Sequence, residues 1–447
     1  MKKLIIKDVL DKIGGKLICG NEDEILDNFC INTKELKDND VFVGMKGEKI
    51  DGSKFYLEAL NSGAKGVIIN KGFYTEKVDN KFIIEVEDTL LAIQSLASIK
   101  RNMYDIPVVA ITGSVGKTST KDIIASVVSR KYNVLKTEGN FNNALGLPLT
   151  ILRLKDHDAL VVEMGMNNLG EIDFLSKLAK PTIGVITNVG TAHIGNLGSR
   201  ENILKAKLEI LNGLNGKLII NNDNDMLNSW NNKTKLDNVV TIGVNNKSDY
   251  MVSNIKYDID NSVFNYNDNE LKVNVCGNAF IYNALMGIAV GSLLNIPISE
   301  IKIGLENFSL TSGRNESIKI NGYTIINDCY NASLDSIKEA LNNLSKNNNR
   351  KIAVLGDVLE LGDYSKKIHT KIGEEVLNNN IDILVLVGKE SKYTYDVTKD
   401  KMNSNYFITN EDAINYLKSI IKKDDIILVK ASHGMKFNEI VNSLKGE

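Results

Sequence analysis

Short apolar runs alternate with amphipathic stretches through the middle of the chain. Buried strands are predicted at "PVVAITG", "ALVVEMG", "TIGVITN" and "GKLIINND", with helices between them at 117–131, 169–179 and 200–213. In the first helix, apolar residues recur at positions 123, 124, 127 and 128, the spacing of one helix face. Such alternation predicts a mostly parallel sheet covered by helices, with ligands at the carboxyl ends of its strands.

Similar patterns flank this segment on both sides. Before it, "KFYLEALNSG" predicts a helix and "KGVIIN" a strand, in a small α/β unit that ends near residue 84. After "SGRNE" (312–316) the alternation restarts, with helices predicted at 333–345 and 365–378. The 447 residues are enough for three domains. We therefore predict an α/β fold with a small N-terminal α/β domain (1–84), a central P-loop ATPase-type domain with a mostly parallel sheet (85–312) and a C-terminal Rossmann-like domain (313–447).

Composition narrows the classes of partner. The chain is 43% hydrophobic and 25% charged, with a formal net charge of -2, so its charge gives no reason to expect a nucleic-acid partner. Its four cysteines have no C-x-x-C spacing, which argues against a disulfide framework or a zinc site. Lys7 and Asp8 interrupt the first apolar run before it can serve as a signal peptide, and no stretch is apolar enough to span a membrane. We therefore expect a cytoplasmic protein without membrane insertion.

The stretch "TGSVGKTS" joins a predicted strand to a predicted helix. Unpaired N–H groups at a helix start form an anion site, Lys117 can reach the β- and γ-phosphates, and a hydroxyl of Thr118 or Ser119 can bind Mg²⁺. The full P-loop pattern is not met, because Ile111 stands where its first glycine would be. A purely structural turn is the alternative. We predict nucleotide-phosphate binding by Gly113, Ser114, Val115, Gly116, Lys117, Thr118 and Ser119.

Polar side chains follow two further strands of the predicted sheet. Glu163 ends "ALVVE", where it is either a solvated strand end or a Mg²⁺ ligand opposite Thr118. His193 follows "TIGVITN" in a glycine-rich loop, and a lone histidine there is more often structural than a ligand. Lys205 and Lys207 lie close together on the next helix, where the simplest interpretation is a solvated face. An ammonium has no lone pair, so neither lysine can bind a metal unmodified.

Further candidates lie around the predicted start of the C-terminal domain. "NDCYNAS" places Asp328, Tyr330 and Asn331 at a strand end, with Ser333 as a helix N-cap. Arg314 lies where a hinge between two sheets would bring a cation near phosphates. Asn283, in the apolar helix "NAFIYNALMGIAVG", is by itself more often a satisfied core amide than a ligand.

Together these stretches resemble the Mur ligases, ATP-dependent amide ligases that build the peptide of peptidoglycan. The resemblance runs through nearly the whole chain, in "AITGSVGKTS", "TEGNFNNALGLPLTIL", "VVEMG", "TNVGTAHIGNLGSRENILKAKLEI", "SGRNE", "NDCYNAS", "VLGDVLELGDYS" and "LVKASHGMK". "DCYNAS" and "GDVLELG" are most similar to the members that add D-alanyl-D-alanine to UDP-N-acetylmuramoyl-tripeptide.

This resemblance implies an ADP-forming reaction in peptidoglycan precursor synthesis. The γ-phosphate of ATP would pass to the tripeptide carboxylate, and the amine of D-alanyl-D-alanine would attack the acyl phosphate. The N-terminal domain would bind the UDP end of the substrate, the central one ATP, and the C-terminal one would close over the acceptor. We expect a monomer with ATP and Mg²⁺ as its cofactors.

The resemblance also implies roles for individual residues. Lys117, Glu163, His193 and Lys207 would be catalytic. Thr118 and Glu163 would bind one Mg²⁺, His193 a second, and Lys207 would be a carbamylated lysine that bridges to the metals, with Lys205 as its rival. The nucleotide would contact Asn283, Arg314 and Asp328 as well as the glycine-rich loop. The substrates would contact Thr33 and Lys34 at the uridine, Asn140 and Asn143 at the muramoyl group, and Tyr330, Asn331 and Ser333 toward the acceptor.

The chain departs from the family pattern at several positions, which are Asn32 and Lys34 near the uridine, Ser53, Ala279, Phe280 and His433. These departures indicate either relaxed contacts or a divergent paralogue that binds a nucleotide or UDP-sugar without catalysis. A Mur ligase that adds a different residue is the other alternative, and "DCYNAS" argues against the enzyme that adds the third residue. A folylpolyglutamate synthase is disfavoured by "DCYNAS", and a P-loop kinase or GTPase by Ile111 and the two additional domains.

Overall fold

The computed structural model describes residues 2–258, 261–310, 313–320 and 322–446. Ser312, which begins "SGRNE" and ends the predicted central domain, lies outside these ranges. Within them, no helix has the length and apolar character needed to cross a membrane.

The N-terminal part is a small α/β unit. Its sheet has the order β2-β7-β6-β5-β4 and is parallel except for the β2/β7 pair, while β1 and β3 form a separate antiparallel ribbon. The strands are β1 (Leu4–Ile5), β2 (Lys16–Cys19), β3 (Ile25–Leu26), β4 (Phe29–Cys30), β5 (Val41–Val43), β6 (Gly66–Asn70) and β7 (Phe82–Val86), and the helices are α1 (Ile6–Val9), α2 (Tyr56–Asn61) and α3 (Thr89–Asn102). Residue 84, our predicted domain end, lies inside β7, and Val86 still pairs with Asn70. The sheet therefore continues to residue 86.

The central part is built on a seven-stranded sheet in which every neighbouring pair is parallel, which confirms the predicted sheet. Its order is β14-β13-β12-β11-β8-β10-β9. The strands are β8 (Val108–Thr112), β9 (Val134–Lys136), β10 (Ala159–Glu163), β11 (Ile183–Ile186), β12 (Lys217–Asn221), β13 (Val239–Gly243) and β14 (Tyr250–Met251). All residues of β8, β10 and β11 are buried, as their continuous apolar runs predict.

The helices of this sheet follow the predicted order with shorter ends. They are α4 (Lys117–Val128), α5 (Gly146–Leu152), α6 (Glu171–Ala179), α7 (Ile194–Leu197), α8 (Arg200–Leu208) and α9 (Asp225–Thr234). The helix predicted at 200–213 ends as α8 at Leu208 and continues as a 3₁₀ turn to Asn212. Such fraying is common at helix ends.

A three-stranded antiparallel sheet, absent from the sequence prediction, follows the parallel sheet. It consists of β15 (Ser253–Tyr257), β16 (Ser262–Tyr266) and β17 (Asn269–Val273). Two helices complete the central part, α10 (Asn278–Leu293) and α11 (Ile298–Glu306). Helix α10 is apolar on nearly all sides because it packs against both α4 and α11 and is largely buried.

The C-terminal part contains a six-stranded sheet of order β18-β19-β23-β20-β21-β22, parallel except for the β18/β19 hairpin. The strands are β18 (Glu316–Ile320), β19 (Tyr323–Asn327), β20 (Lys351–Gly356), β21 (Ile383–Val387), β22 (Ser404–Phe407) and β23 (Ile426–Lys430). The helices are α12 (Leu334–Ser345), α13 (Ser365–Leu377), α14 (Ser391–Thr398), α15 (Asn410–Ile420) and α16 (Asn438–Lys445). Ser333 caps α12 as predicted, because its hydroxyl accepts from the Ser336 N–H.

Candidate active site

The glycine-rich loop lies between β8 and α4, at the carboxyl end of the parallel sheet. Gly113 has φ 153°, and a Cβ there would collide with the Thr187 hydroxyl, so this close approach requires glycine. The N–H groups of Ser114 and Val115 donate to the Asn188 backbone and side-chain oxygens, at 3.1 and 2.9 Å. These two amides therefore do not serve as free phosphate donors, which corrects our prediction.

The backbone N–H groups of the loop that remain available to a ligand begin at Gly116. Among the described residues, the N–H groups from Gly116 to Ser119 have no hydrogen-bond partner, as is normal in the first turn of a helix. The Lys117 ammonium donates to the Gly113 carbonyl at 2.9 Å. Burial lowers the pKa of Lys117, Glu163 opposes this shift and Arg314 adds to it. The loop thus presents backbone donors and one cation to the same space.

Glu163 is a buried, fully engaged carboxylate at the end of β10. Its side chain is only 3% exposed, so the alternative of a solvated strand end is wrong. Oε2 accepts from the Thr118 hydroxyl at 2.7 Å, and Oε1 accepts from the Asn142 side-chain amide at 2.7 Å. Its own N–H donates to Thr137 Oγ1 at 3.1 Å. The structure therefore brings Thr118 and Glu163 together, as the sequence predicts.

His193 lies between the central and C-terminal parts. It has φ 62° and precedes α7, and its Nδ1 lies 3.0 Å from Glu360 Oε2, although the two atoms lack hydrogen-bond alignment. Burial is the main cause that lowers the pKa of His193, helped by Lys117 and Lys207, while Glu360 raises it. The ring is therefore biased toward the neutral form, which is the form that binds metals.

The two lysines of α8 differ sharply in environment. Lys205 is exposed, whereas Lys207 is 1% exposed. Within the described part of the chain, no hydrogen bond or ion pair engages the Lys207 ammonium, and the simple interpretation of a solvated face fails for it. Burial, with a smaller effect of Lys117, lowers the pKa of Lys207 well below its ordinary value. Lys207 therefore carries an amine that is readily neutral.

A cleft of about 500 Å³ separates the glycine-rich loop from the C-terminal sheet. Most predicted site residues line it, namely Ser114–Ser119, Asn140, Asn143, Glu163, His193, Asn283, Arg314, Asp328, Tyr330, Asn331 and Ser333. Gly113 and Lys207 are buried and do not line the cleft, and Thr33 and Lys34 lie in a 3₁₀ turn of the N-terminal part.

The C-terminal wall of the cleft carries several charges. The Arg314 guanidinium lies 4.0 Å from the centre of the Tyr330 ring, a cation–π arrangement, and this ring packs 5.6 Å from that of His433. The Lys430 ammonium donates to Asp328 Oδ2 at 2.6 Å. Anionic ligands in the cleft would therefore meet cations from both walls.

Comparison with known proteins identifies the family. Residues 111–291 match the family model described as the Mur ligase middle domain, and residues 313–433 match that described as the Mur ligase, glutamate ligase domain. The chain is 36% identical to the UDP-N-acetylmuramoyl-tripeptide--D-alanyl-D-alanine ligase of Bacillus subtilis, an alignment that covers 99% of each. This chain belongs to the Mur ligase family.

Solved structures agree with this assignment. The Mur ligase chain superposes on a MurF crystal structure from Acinetobacter baumannii with a TM-score of 0.89, at 26% identity and 100% coverage of both chains. It superposes on the MurF ligase of Thermotoga maritima in complex with ADP with a TM-score of 0.81, at 28% identity, covering 94% of this chain and 98% of that one. The predicted three-domain α/β fold is thereby confirmed.

Several cleft residues of this Mur ligase escaped the sequence prediction. Asn142, Glu360 and Lys430 all line the cleft and contact predicted site residues. Signals for two of them were present, because Lys430 ends an apolar strand and Asn142 stands between the predicted Asn140 and Asn143. Asn283 fits its interpretation as a satisfied amide, since its Oδ1 accepts from the Thr120 hydroxyl at 2.9 Å, yet it also faces the cleft.

Two departures in the N-terminal part of the Mur ligase have a structural explanation. Asn32 Oδ1 accepts from the Lys34 N–H at 3.1 Å and so caps the turn that carries Thr33 and Lys34. Ser53 is fully buried, and its hydroxyl donates to the Gly44 carbonyl at 3.1 Å. Both residues therefore stabilise local backbone, and the roles of Thr33 and Lys34 stay predictions.

Proposed function

We propose that this chain joins D-alanyl-D-alanine to UDP-N-acetylmuramoyl-tripeptide, with ATP converted to ADP and phosphate. The observation that carries the proposal is full-length similarity to ligases of that name, at 36% identity for the Bacillus subtilis protein. The cleft supports it, because a glycine-rich loop on one wall faces the "NDCYNAS" segment on the other. A transfer between three anionic or polar substrates needs such a shared space.

The reaction has two balanced steps. A carboxylate is a poor electrophile, so its oxygen first takes the γ-phosphoryl group of ATP, which releases ADP and leaves an acyl phosphate. The amine of the dipeptide then forms a bond to the acyl carbon, the bond from carbon to the phosphate oxygen breaks, and the amine loses a proton. Lys117 and the N–H groups from Gly116 to Ser119 neutralise and orient the phosphates. Catalysis of this kind is mostly positioning and electrostatic stabilisation.

The side-chain atoms that the candidate site offers as metal ligands suit Mg²⁺. The described residues contain no group of three or more His, Cys, Asp or Glu side chains placed to hold a metal. Mg²⁺ does not need one, since it commonly takes one or two protein oxygens and completes its shell with substrate phosphates and water. Thr118 and Glu163, in contact at 2.7 Å beside the loop, fit that pattern. Bound there, Mg²⁺ would neutralise phosphate charge, with His193 as the proposed ligand of a second ion.

We also propose that Lys207, and not Lys205, is carbamylated. The neutral amine nitrogen attacks the carbon of CO₂ and loses a proton, which yields a carboxylate on a long side chain. Two properties support Lys207. Its side chain is buried near His193 and Lys117, and this burial lowers the pKa of its amine well below the ordinary value. Lys205 is exposed.

The remaining assignments are proposals of the same kind. Asn283, Arg314 and Asp328 would contact the nucleotide, and Asn140 and Asn143 the muramoyl group. Tyr330 and Asn331 would face the acceptor, together with Ser333, whose hydroxyl also caps α12. Thr33 and Lys34 would contact the uridine. We propose that the chain acts in the cytoplasm, because ATP and a UDP-linked precursor are its substrates, and that it acts as a monomer, as the resemblance implies.

Phosphate release from ATP tests this function directly. With UDP-N-acetylmuramoyl-tripeptide present, we expect sustained release only when D-alanyl-D-alanine is added, and a pentapeptide product by mass spectrometry. Single amino acids, each tested with a UDP-muramoyl precursor that carries a shorter peptide, serve as controls, because a Mur ligase that adds an earlier residue would use one of these pairs instead. Nucleotide binding without release for any acceptor would instead support the degenerate paralogue.

A further inference from the structure

The loop between β9 and α5 reaches the candidate metal site through one side chain. We propose that Asn142 is a positioning residue, whose amide holds the Glu163 carboxylate so that Oε2 faces the Thr118 hydroxyl and a divalent cation. The inference rests on the proposed function only in requiring a nucleotide and a divalent cation at this loop. It gives Asn142 a task in assembling the site, beyond any contact with substrate.

The hydrogen bonds divide the two oxygens of Glu163 between two elements. The Asn142 Nδ2 donates to Oε1 at 2.7 Å, from the loop, and Thr118 Oγ1 donates to Oε2 at 2.7 Å, from α4. The last side-chain torsion of a glutamate has a broad energy minimum, so a carboxylate held at one oxygen only is free to rotate. With Oε1 engaged by a neutral amide, Oε2 is the oxygen directed to a cation.

The backbone around Asn142 is fixed on both sides. Its carbonyl accepts from the Gly165 N–H at 2.8 Å, and a Cβ at Gly165 would lie only 2.9 Å from Asn142 Oδ1. Gly165 follows Glu163 by two residues, so the loop is attached to the segment that carries the carboxylate. At the loop base, Thr137 is buried, and its hydroxyl accepts from the Glu163 N–H. Asn142 is thus aimed at Glu163 by contacts that do not involve its amide.

The same loop carries Asn140 and Asn143, the residues proposed to hold the muramoyl group. Asn143 Oδ1 accepts from the N–H groups of Leu145 and Gly146, at 3.1 and 2.8 Å, and so fixes the start of α5. A substrate that contacts this loop would therefore act on Glu163 through Asn142. The metal site and the substrate loop form one hydrogen-bonded unit.

The test measures the affinity of the protein for a divalent cation in the absence of turnover. Mn²⁺ replaces Mg²⁺ as a spectroscopic probe, and free Mn²⁺ is measured by electron paramagnetic resonance with ADP present. Asn142→Leu keeps the branching and the number of side-chain heavy atoms and removes both N–H donors, and we expect its Mn²⁺ affinity to fall about 10- to 100-fold, the usual cost of losing a partner of a metal ligand. Phe141→Ala is the control, since Phe141 is 40% exposed on the same loop and should leave affinity unchanged.

A second comparison, made in a variant that lacks the Glu163 carboxylate, distinguishes the loss of carboxylate positioning from a general distortion of the loop. In Glu163→Gln, the substitution Asn142→Leu should cause no further loss of Mn²⁺ affinity, because Asn142 acts through that carboxylate. Equal losses in both backgrounds, or wild-type affinity in Asn142→Leu, would overturn the proposal. Thermal unfolding checks each variant, and Asn142→Ala replaces Asn142→Leu if the leucine lowers the unfolding temperature. Failure of the wild-type protein to bind ADP with Mn²⁺ would instead contradict the proposed function itself, and this inference with it.

Discussion

Replacing Lys117 with methionine is expected to reduce turnover by roughly 10²- to 10³-fold, the usual effect of removing one group that stabilises transition-state charge. Methionine approximates the length of lysine and removes only the charge and its donors. The Lys117 ammonium lies 2.9 Å from the Gly113 carbonyl, at the loop that would hold the phosphates. The negative charge of a phosphoryl group held at this loop would therefore lose one neutralising cation. The measurement is phosphate release with all three substrates present.

Lys131 provides a matched control for this substitution. It follows the end of α4, and its ammonium donates to the Leu294 carbonyl at 2.9 Å, away from the glycine-rich loop. Lys131→Met should keep turnover within about tenfold of the wild type, a change of 1.4 kcal/mol in the barrier. Wild-type turnover in Lys117→Met would reject the nucleotide assignment of the loop.

The second large effect is expected at Lys207. Lys207→Ala should lower turnover by at least about 100-fold, because the proposed carbamate supplies a negative group that no other side chain replaces. A short-chain carboxylic acid added to the assay should partly restore activity, since it can enter the space left by the side chain and supply the missing carboxylate. Phosphate release with and without the acid measures both effects.

Lys205 is the natural control, because it lies two residues away on the same helix and is exposed. Lys205→Ala should retain wild-type turnover and show no response to the acid. Lys207→Ala leaves a cavity in a buried part of the fold, which lowers stability, so the loss of turnover is to be measured at a temperature at which both variants are folded. Thermal unfolding compares the two variants. Full activity in Lys207→Ala, or loss in Lys205→Ala, would contradict the assignment.

Local pattern explains why the central sheet could be predicted. The continuous apolar runs of β8, β10 and β11 are typical of strands buried on both faces, and the structure has them so. The antiparallel sheet was missed for the opposite reason, because β15 is largely exposed and has no clear apolar period. A signal was present in the Asn267-Asp268 turn, where Tyr266 pairs with Asn269 across two residues.

The features of the candidate site likewise fall into two groups, those that short-range sequence signals predict and those that they do not. Its glycine-rich loop and strand-end Glu163 follow from short-range features, namely where an apolar strand stops and where a helix begins. No such feature predicted that Asn142 contacts Glu163, 21 residues away, or that Glu360 contacts His193, far along the chain. Their contacts depend on how the β9–α5 loop folds back and on how the C-terminal sheet approaches.

Hydrophobic period and turn chemistry are local, so the amino-acid pattern alone predicted three α/β units, a glycine-rich loop between a strand and a helix, and polar residues at strand ends. The two lysines of α8 show where that information ends. Residues two apart on a helix point in nearly opposite directions, so one face or the other had to be buried. Only the packing of α8 against the rest of the central part decided that Lys207 is inside and Lys205 outside. Burial is a property of the assembled fold, since desolvation requires neighbours from distant parts of the chain.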